Sequence, residues 1–176
     1  MQCDLQANAL EKLDEARFFL QLMDRLEACR EPLTDGRNPS LEFSYLLSAF
    51  VNACYSCTAC LDNHKAYTDS SKAFRRQHAS FYGSGPNGGF RTRATHFAPV
   101  KPAHDGYKPP PADNVILRFR EVSSNASPNG DQIDVAFGPG AFYFSEESLQ
   151  NTICDLCAVH LKELAAFIHD CFEIRL

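Results

Sequence analysis

Apolar positions recur at helical spacing in three long stretches of this chain and at strand spacing in one short one. From about Leu5 to Cys29, the residues Leu10, Leu13, Leu20 and Met23 trace one side of a helix, joined by the stem of Arg17 and by Glu27. Phe19, Leu22 and Leu26 widen that stripe, which has a helix period and not a strand period. Pro32 and the string Thr34-Asp35-Gly36-Arg37-Asn38-Pro39 predict its end and a loop. A second helix is predicted from a Ser40 cap to about His64, with Glu42 near its positive end. Phe43, Leu46, Leu47, Phe50, Cys54, Cys57 and Leu61 carry its apolar face. A third, shorter helix is expected from Ser70 or Ser71 to Tyr82, and the run Gly83-Ser84-Gly85-Pro86-Asn87-Gly88-Gly89 breaks regular structure after it.

Phe90 to Phe97 has room for one or two helical turns. Pro99, Pro102, Pro109, Pro110 and Pro111 forbid a helix between Ala98 and Asp113 and imply an extended crossing. The period then changes to two: Val115, Leu117 and Phe119 alternate with Ile116, Arg118 and Arg120. Ser123 to Asp131 reads as a polar turn region, Ile133, Val135 and Phe137 as a second strand, and Ala141 to Phe144 as a third after Gly138-Pro139-Gly140. A long last helix is expected from a Ser145 cap, with Glu146 and Glu147 in its first turn. Its broad apolar face runs through Leu149, Ile153, Leu156, His160, Leu164, Phe167, Ile168 and Cys171.

Three long amphipathic helices each need a partner for their apolar stripe, which predicts a mainly α helical bundle with a small antiparallel β insertion before the last helix. At 176 residues the whole chain, 1–176, fits one helical-bundle domain, with an irregular basic segment at 83–113 and a small β-sheet at 114–144. Unbroken apolar runs are too short to cross a bilayer, and Met1-Gln2-Cys3-Asp4 lacks the basic and apolar start of a secretory signal. A cytoplasmic protein with no membrane contact is therefore expected.

Charge and cysteines refine that picture. The net charge of −5 conceals a basic centre: Lys65 to Arg120 holds ten Lys/Arg against three Asp/Glu, and the rest of the chain seven against nineteen. Such a centre either meets an anion, such as phosphate or RNA, or pairs with the acidic flanks within the fold or across a dimer. Of the eight cysteines, six fall in helical stretches at places where small apolar residues would serve, which suits reduced thiols better than a disulfide scaffold. Cys54-x-x-Cys57-x-x-Cys60 and Cys154-x-x-Cys157-x-x-His160 have spacings that metal sites use. Their position inside amphipathic helices, and not in turns that curl around an ion, reads instead as packing by small thiols. No metal and no cofactor is expected. His64 and His78 fall near helix ends, and His160 and His169 read as partly buried, hydrogen-bonded residues of the last helix.

The pair with most chemical content is Arg91 and His96, in Arg91-Thr92-Arg93-Ala94-Thr95-His96. A histidine moves a proton near neutral pH, and an arginine holds phosphate with a planar, permanent charge. RNA carries its own nucleophile in the 2′-hydroxyl, so proton transfer and charge stabilisation suffice to cut it without metal. Arg75, Arg76 and Arg93 would supply supporting substrate contacts.

The strings Glu11-Lys12-Leu13-Asp14-Glu15-Ala16-Arg17-Phe18-Phe19-Leu20 and Glu42-Phe43-Ser44-Tyr45-Leu46-Leu47-Ser48-Ala49-Phe50 resemble bacterial HEPN-type helical proteins. That superfamily has a four-helix core, is usually dimeric, and many members cut RNA without metal in toxin–antitoxin or defence systems. Its motif is an Arg, four to six residues, then a His, and Arg91 and His96 fit that spacing. The resemblance implies a homodimer that binds RNA or acts as a metal-independent endoribonuclease, with Arg91 as phosphate clamp and His96 as proton donor or acceptor. Active members usually carry Asn, Asp or His after the Arg, where this chain has Thr92. Many relatives are non-catalytic, so a dimeric interaction module binding a protein partner is the alternative, and a cysteine-based metal or redox protein the third.

Overall fold

The computed structural model describes residues 2–29, 31–85, 88–96, 100–102, 104–106, 141–144 and 151–173. Over these the chain is mainly helical: α1 (Gln2–Cys29), α2 (Pro39–Asp62), α3 (Thr68–Gln77), α4 (Ala79–Tyr82), α5 (Phe90–His96) and α6 (Ile153–Glu173), with two short strands, β1 (His104–Gly106) and β2 (Ala141–Tyr143). The strands predicted around 115–120 and 133–137 lie outside the described residues.

The core of the three long helices follows a seven-residue rhythm. Buried positions step by four and three along α1 (Ala9, Leu13, Ala16, then Met23), α2 (Phe43, Leu47, Phe50, Cys54, Cys57, Leu61) and α6 (Cys154, Cys157, Leu161, Leu164, Ile168). That spacing keeps one seam of each helix facing its neighbours. The seam of α1 sits one residue before part of the predicted stripe: Ala9 and Ala16 are fully buried, while Leu10 is 46% exposed. Small side chains at 9 and 16 let the neighbouring helix come close, which outweighs the larger transfer energy of Leu10. Cys57 lies in the field of Lys12 and Glu15, so α1 and α2 form an antiparallel hairpin. Cys154 meets Glu27 at the end of α1, and Phe172 lies 5.4 Å from Tyr67 beyond the end of α2. The last helix therefore runs alongside α2 and against α1.

Three helix starts and stops differ from the sequence expectation. Asn38, not Ser40, caps α2: its side chain accepts from the Ser40 and Leu41 amides at 2.9 and 3.4 Å. Pro39, which has no N–H to satisfy, takes the first helical position behind that cap. Thr152, not Ser145, caps α6: its hydroxyl accepts from the Asp155 amide at 3.0 Å, and Asp155 accepts in return from the Thr152 amide. The single helix expected to end at Tyr82 is broken at His78, whose backbone (φ −102°, ψ 49°) leaves the helical region between α3 and α4.

Among the described helices, α2 is long and apolar enough to cross a membrane by length and composition alone, and half of that stretch is buried in the bundle. Unbroken apolar runs are short, but the helix as a whole meets that measure. Glu42, buried near its start, accepts from the Leu33 amide (2.6 Å) and the Thr34 hydroxyl (2.7 Å) and so fastens the α1–α2 loop.

The third predicted strand exists as β2, and its partner β1 comes from the proline-rich crossing. They pair antiparallel with His104 opposite Tyr143 and Gly106 opposite Ala141. Phe142 anchors this ribbon: its ring lies 4.0 Å from that of Phe43, and its amide donates to the buried Glu27 carboxylate at 2.9 Å. Phe144 stacks on Phe90 (4.0 Å, 11°), and Phe81 meets Phe90 edge-on at 5.4 Å, which seats α5 against α4. Gly89 makes that seat feasible, because a Cβ there would fall 2.4 Å from the Phe81 carbonyl carbon.

Candidate functional site

On the flank of the bundle formed by α2, α3, α4, α5 and α6, polar and aromatic side chains meet in a continuous line. It begins at Tyr55 of α2. The guanidinium carbon of Arg91, on α5, lies 3.9 Å from the Tyr55 ring centre, and that of Arg75, on α3, lies 5.3 Å from it. Cation–π attraction holds both there. Arg75 is fixed further by Asp62 (2.7 Å) and the Thr58 hydroxyl (3.0 Å), and the Ser71 hydroxyl donates to the same Asp62. Among the described residues, Arg91 has no such counter-charge. Its Nε–H is buried and meets no acceptor among the described residues.

The line continues to Tyr82, whose ring is 6.2 Å from Tyr55 and whose hydroxyl is 2.6 Å from Nε2 of His160. Phe81 stacks on the His160 ring at 4.0 Å. His78, at the break between α3 and α4, faces that ring edge-on at 4.8 Å, and its Nδ1 is 3.7 Å from the Glu163 carboxylate. His160 is 1% exposed, Glu163 half-exposed. Burial, helped by the nearby His78, lowers the His160 imidazole to about 3, so the ring is neutral at ordinary pH. Burial likewise raises Tyr82 far above the usual phenol range and keeps its proton on. Among the described residues, His78, His160 and Glu163 form the group with metal-ligand spacing, their donor atoms all within 4.8 Å of one another.

The residues singled out by sequence fall into two sets. Arg75 and Arg91 converge on one tyrosine ring. His96 is the exposed last residue of α5, and Arg93 and Arg76 are exposed as well. Arg91 and His96 share one short helix at a spacing of five, which turns their side chains about 140° apart around its axis. Thr95, next to His96, donates to Asn52 of α2 at 3.2 Å and so pins that end of α5.

The cysteine strings lie along helix seams. Cys54, Cys57 and Cys157 are buried in the core, Cys60 and Cys171 are half-buried, and Cys29 is exposed, all as free thiols. Burial pushes Cys57 up to about 12, and pushes Cys54, Cys154 and Cys157 up as well. Thiols so held stay protonated, whereas thiolate is the metal-binding and nucleophilic form.

Tyr55, Asp62, Tyr82 and Glu163 carry the site's geometry and were not singled out by sequence. A local signal existed for part of it: His78, Phe81 and Tyr82 stand at spacings of three and four, and Glu163 follows His160 by three. That these two groups meet is a tertiary fact. Comparison of the chain with models of known families, with curated proteins and with solved structures found no match.

Proposed function

We propose that this protein binds RNA through the cationic face that α3 and α5 build around Tyr55. The supporting observation is Arg91, whose guanidinium lies on an aromatic ring with a buried N–H that has no acceptor among the described residues. An orphaned buried donor costs roughly 1–3 kcal/mol, and a phosphate oxygen is the acceptor that would also match its charge. Arg76 and Arg93, exposed on the same two helices, add cationic charge near that face, and the basic balance of Lys65 to Arg120 supports it. Cationic side chains beside aromatic rings are how single strands are held without sequence preference.

Binding fits the geometry better than cleavage by the Arg91–His96 pair, because the two side chains leave α5 in different directions. The resemblance to HEPN-like bundles and the homodimer it implies belong to the same proposal. Exposed Leu10 and Phe18 on α1 and Val159 on α6 favour a second copy or another protein as a further partner.

The test is anisotropy of a labelled single-stranded RNA between about 50 and about 200 mM salt, where counterion release predicts a steep loss of affinity. Arg76→Ala and Arg93→Ala should each flatten the dependence by roughly 0.7 in log–log slope. Arg91→Lys should weaken binding, because a point charge does not replace the planar fork. No binding at low salt, or binding indifferent to salt, rejects the reading. Chelator-resistant cleavage to 2′,3′-cyclic phosphate ends, lost in His96→Ala, would replace it with the nuclease.

A further inference from the structure

His160 has one ring nitrogen engaged and one idle. Nε2 meets the Tyr82 hydroxyl, while Nδ1 is buried and has no partner among the described residues. Such an atom costs free energy unless something approaches it. The groups near this ring are His78, with 19% of its side chain exposed, and Glu163, 52% exposed. Two imidazoles and a carboxylate whose donor atoms lie within 4.8 Å of one another form a set that borderline divalent cations take.

We propose that His78, His160 and Glu163 bind one zinc ion, with its fourth position open to water beside Glu163. Three features of the site suit that ion. Its deepest ligand is a rigid, neutral imidazole, clamped between the Phe81 ring and the Tyr82 hydroxyl. Metal binding would select the tautomer in which Nε2–H donates to the Tyr82 oxygen and the lone pair of Nδ1 is free; a hydrogen bond at the far nitrogen is the usual means of orienting a metal-bound histidine. Of its other two ligands, Glu163 is half-exposed with room to turn, and His78 packs on the Phe74 ring at the edge of the core. Tetrahedral zinc with bonds of about 2.0–2.1 Å needs donors roughly 3.3 Å apart. Closing the remaining gap takes a turn of the exposed Glu163 carboxylate and a shift of the His78 ring against Phe74. The ion would also tie α6 to the α3–α4 break, where His78 leaves the helical region.

Of the strings with metal-site spacing only His160 takes part, without its cysteines, and the zinc proposal does not rest on RNA binding at Tyr55. The test uses the full chain, stripped with chelator and desalted. Cobalt(II) is titrated as a spectroscopic probe and zinc is then used to displace it. One equivalent of cobalt should bind with the visible absorption of a four-coordinate ion and without sulfur-to-cobalt charge transfer. Glu163→Gln alters a half-exposed side chain and should fold as the wild type does by circular dichroism, while His78→Gln changes a largely buried ring, so its fold is checked the same way before its affinity is read. Each should weaken zinc at least tenfold. Tyr82→Phe removes the orienting hydroxyl and should weaken it about tenfold, the size of other outer-shell effects. Three results overturn the proposal: no metal bound at stoichiometric concentrations, affinity reduced less than tenfold by either ligand substitution, or a sulfur charge-transfer band that places the ion on the cysteines.

Discussion

The Tyr82 hydroxyl and Nε2 of His160 lie 2.6 Å apart in a part of the core closed to water, joining residues 78 positions apart in the chain. Both partners are held in their uncharged forms by burial. The bond therefore links a phenol to a neutral imidazole, and it fixes α4 to α6.

That neutrality has a consequence for stability against acid. His160 is lowered from 6.5 to about 3 by folding, so below pH 6.5 the unfolded chain takes up a proton that the folded chain refuses. The contribution is fully present above that pH and is lost as pH falls toward about 3, at up to roughly 1.4 kcal/mol per pH unit. Urea midpoints measured from pH 7 down to pH 4 should show this decline. His160→Gln should lack that share of it, and equal slopes in the two proteins would refute the assignment.

Gly89 should be intolerant of even a methyl group. A Cβ there meets backbone atoms of Phe81 and Tyr82 at 2.4 to 2.6 Å, which no side-chain rotation relieves. Gly89→Ala is expected to cost about 1–3 kcal/mol, the range for overpacking, and to displace α5 with Arg91 on it. A thermal melt checks the first effect and RNA affinity the second. An unchanged melting temperature would mean that α5 packs differently.

Thiol reactivity should sort by burial and by acidity. Cys29 is exposed, whereas Cys54, Cys57, Cys154 and Cys157 are buried with raised pKa values. Pulsed alkylation read by mass spectrometry should label Cys29 in the native protein first and these four only as the core opens. In denaturant all eight cysteines should titrate as free thiols. A core cysteine labelled as fast as Cys29 would contradict the packing.

The three long helices and most of their seams were legible in the pattern of apolar residues, whereas the break at His78 was not. Phe43, Leu47, Phe50, Cys54, Cys57 and Leu61 were legible as one face because helical periodicity is local, set by 3.6 residues per turn whatever the surroundings. The caps were less legible: several polar residues stand near each helix start, and the proline at 39 and the carboxylate at 155 decide between them only through backbone geometry. The α1 seam ran through Ala9 and Ala16, and not Leu10, because how closely two helices approach depends on the volumes of both. The site was the least legible part. Arg91 was visible as a cation, but its seat on Tyr55 follows from how Gly89 and Phe90 lodge α5 against α4. His78 and His160 carried no mutual signal, since their meeting depends on the break between α3 and α4 and on the register of α6 against α2. Those are non-local choices, made by packing volume and by the need to partner buried polar groups, and one chain's pattern of apolar and polar residues does not encode them position by position.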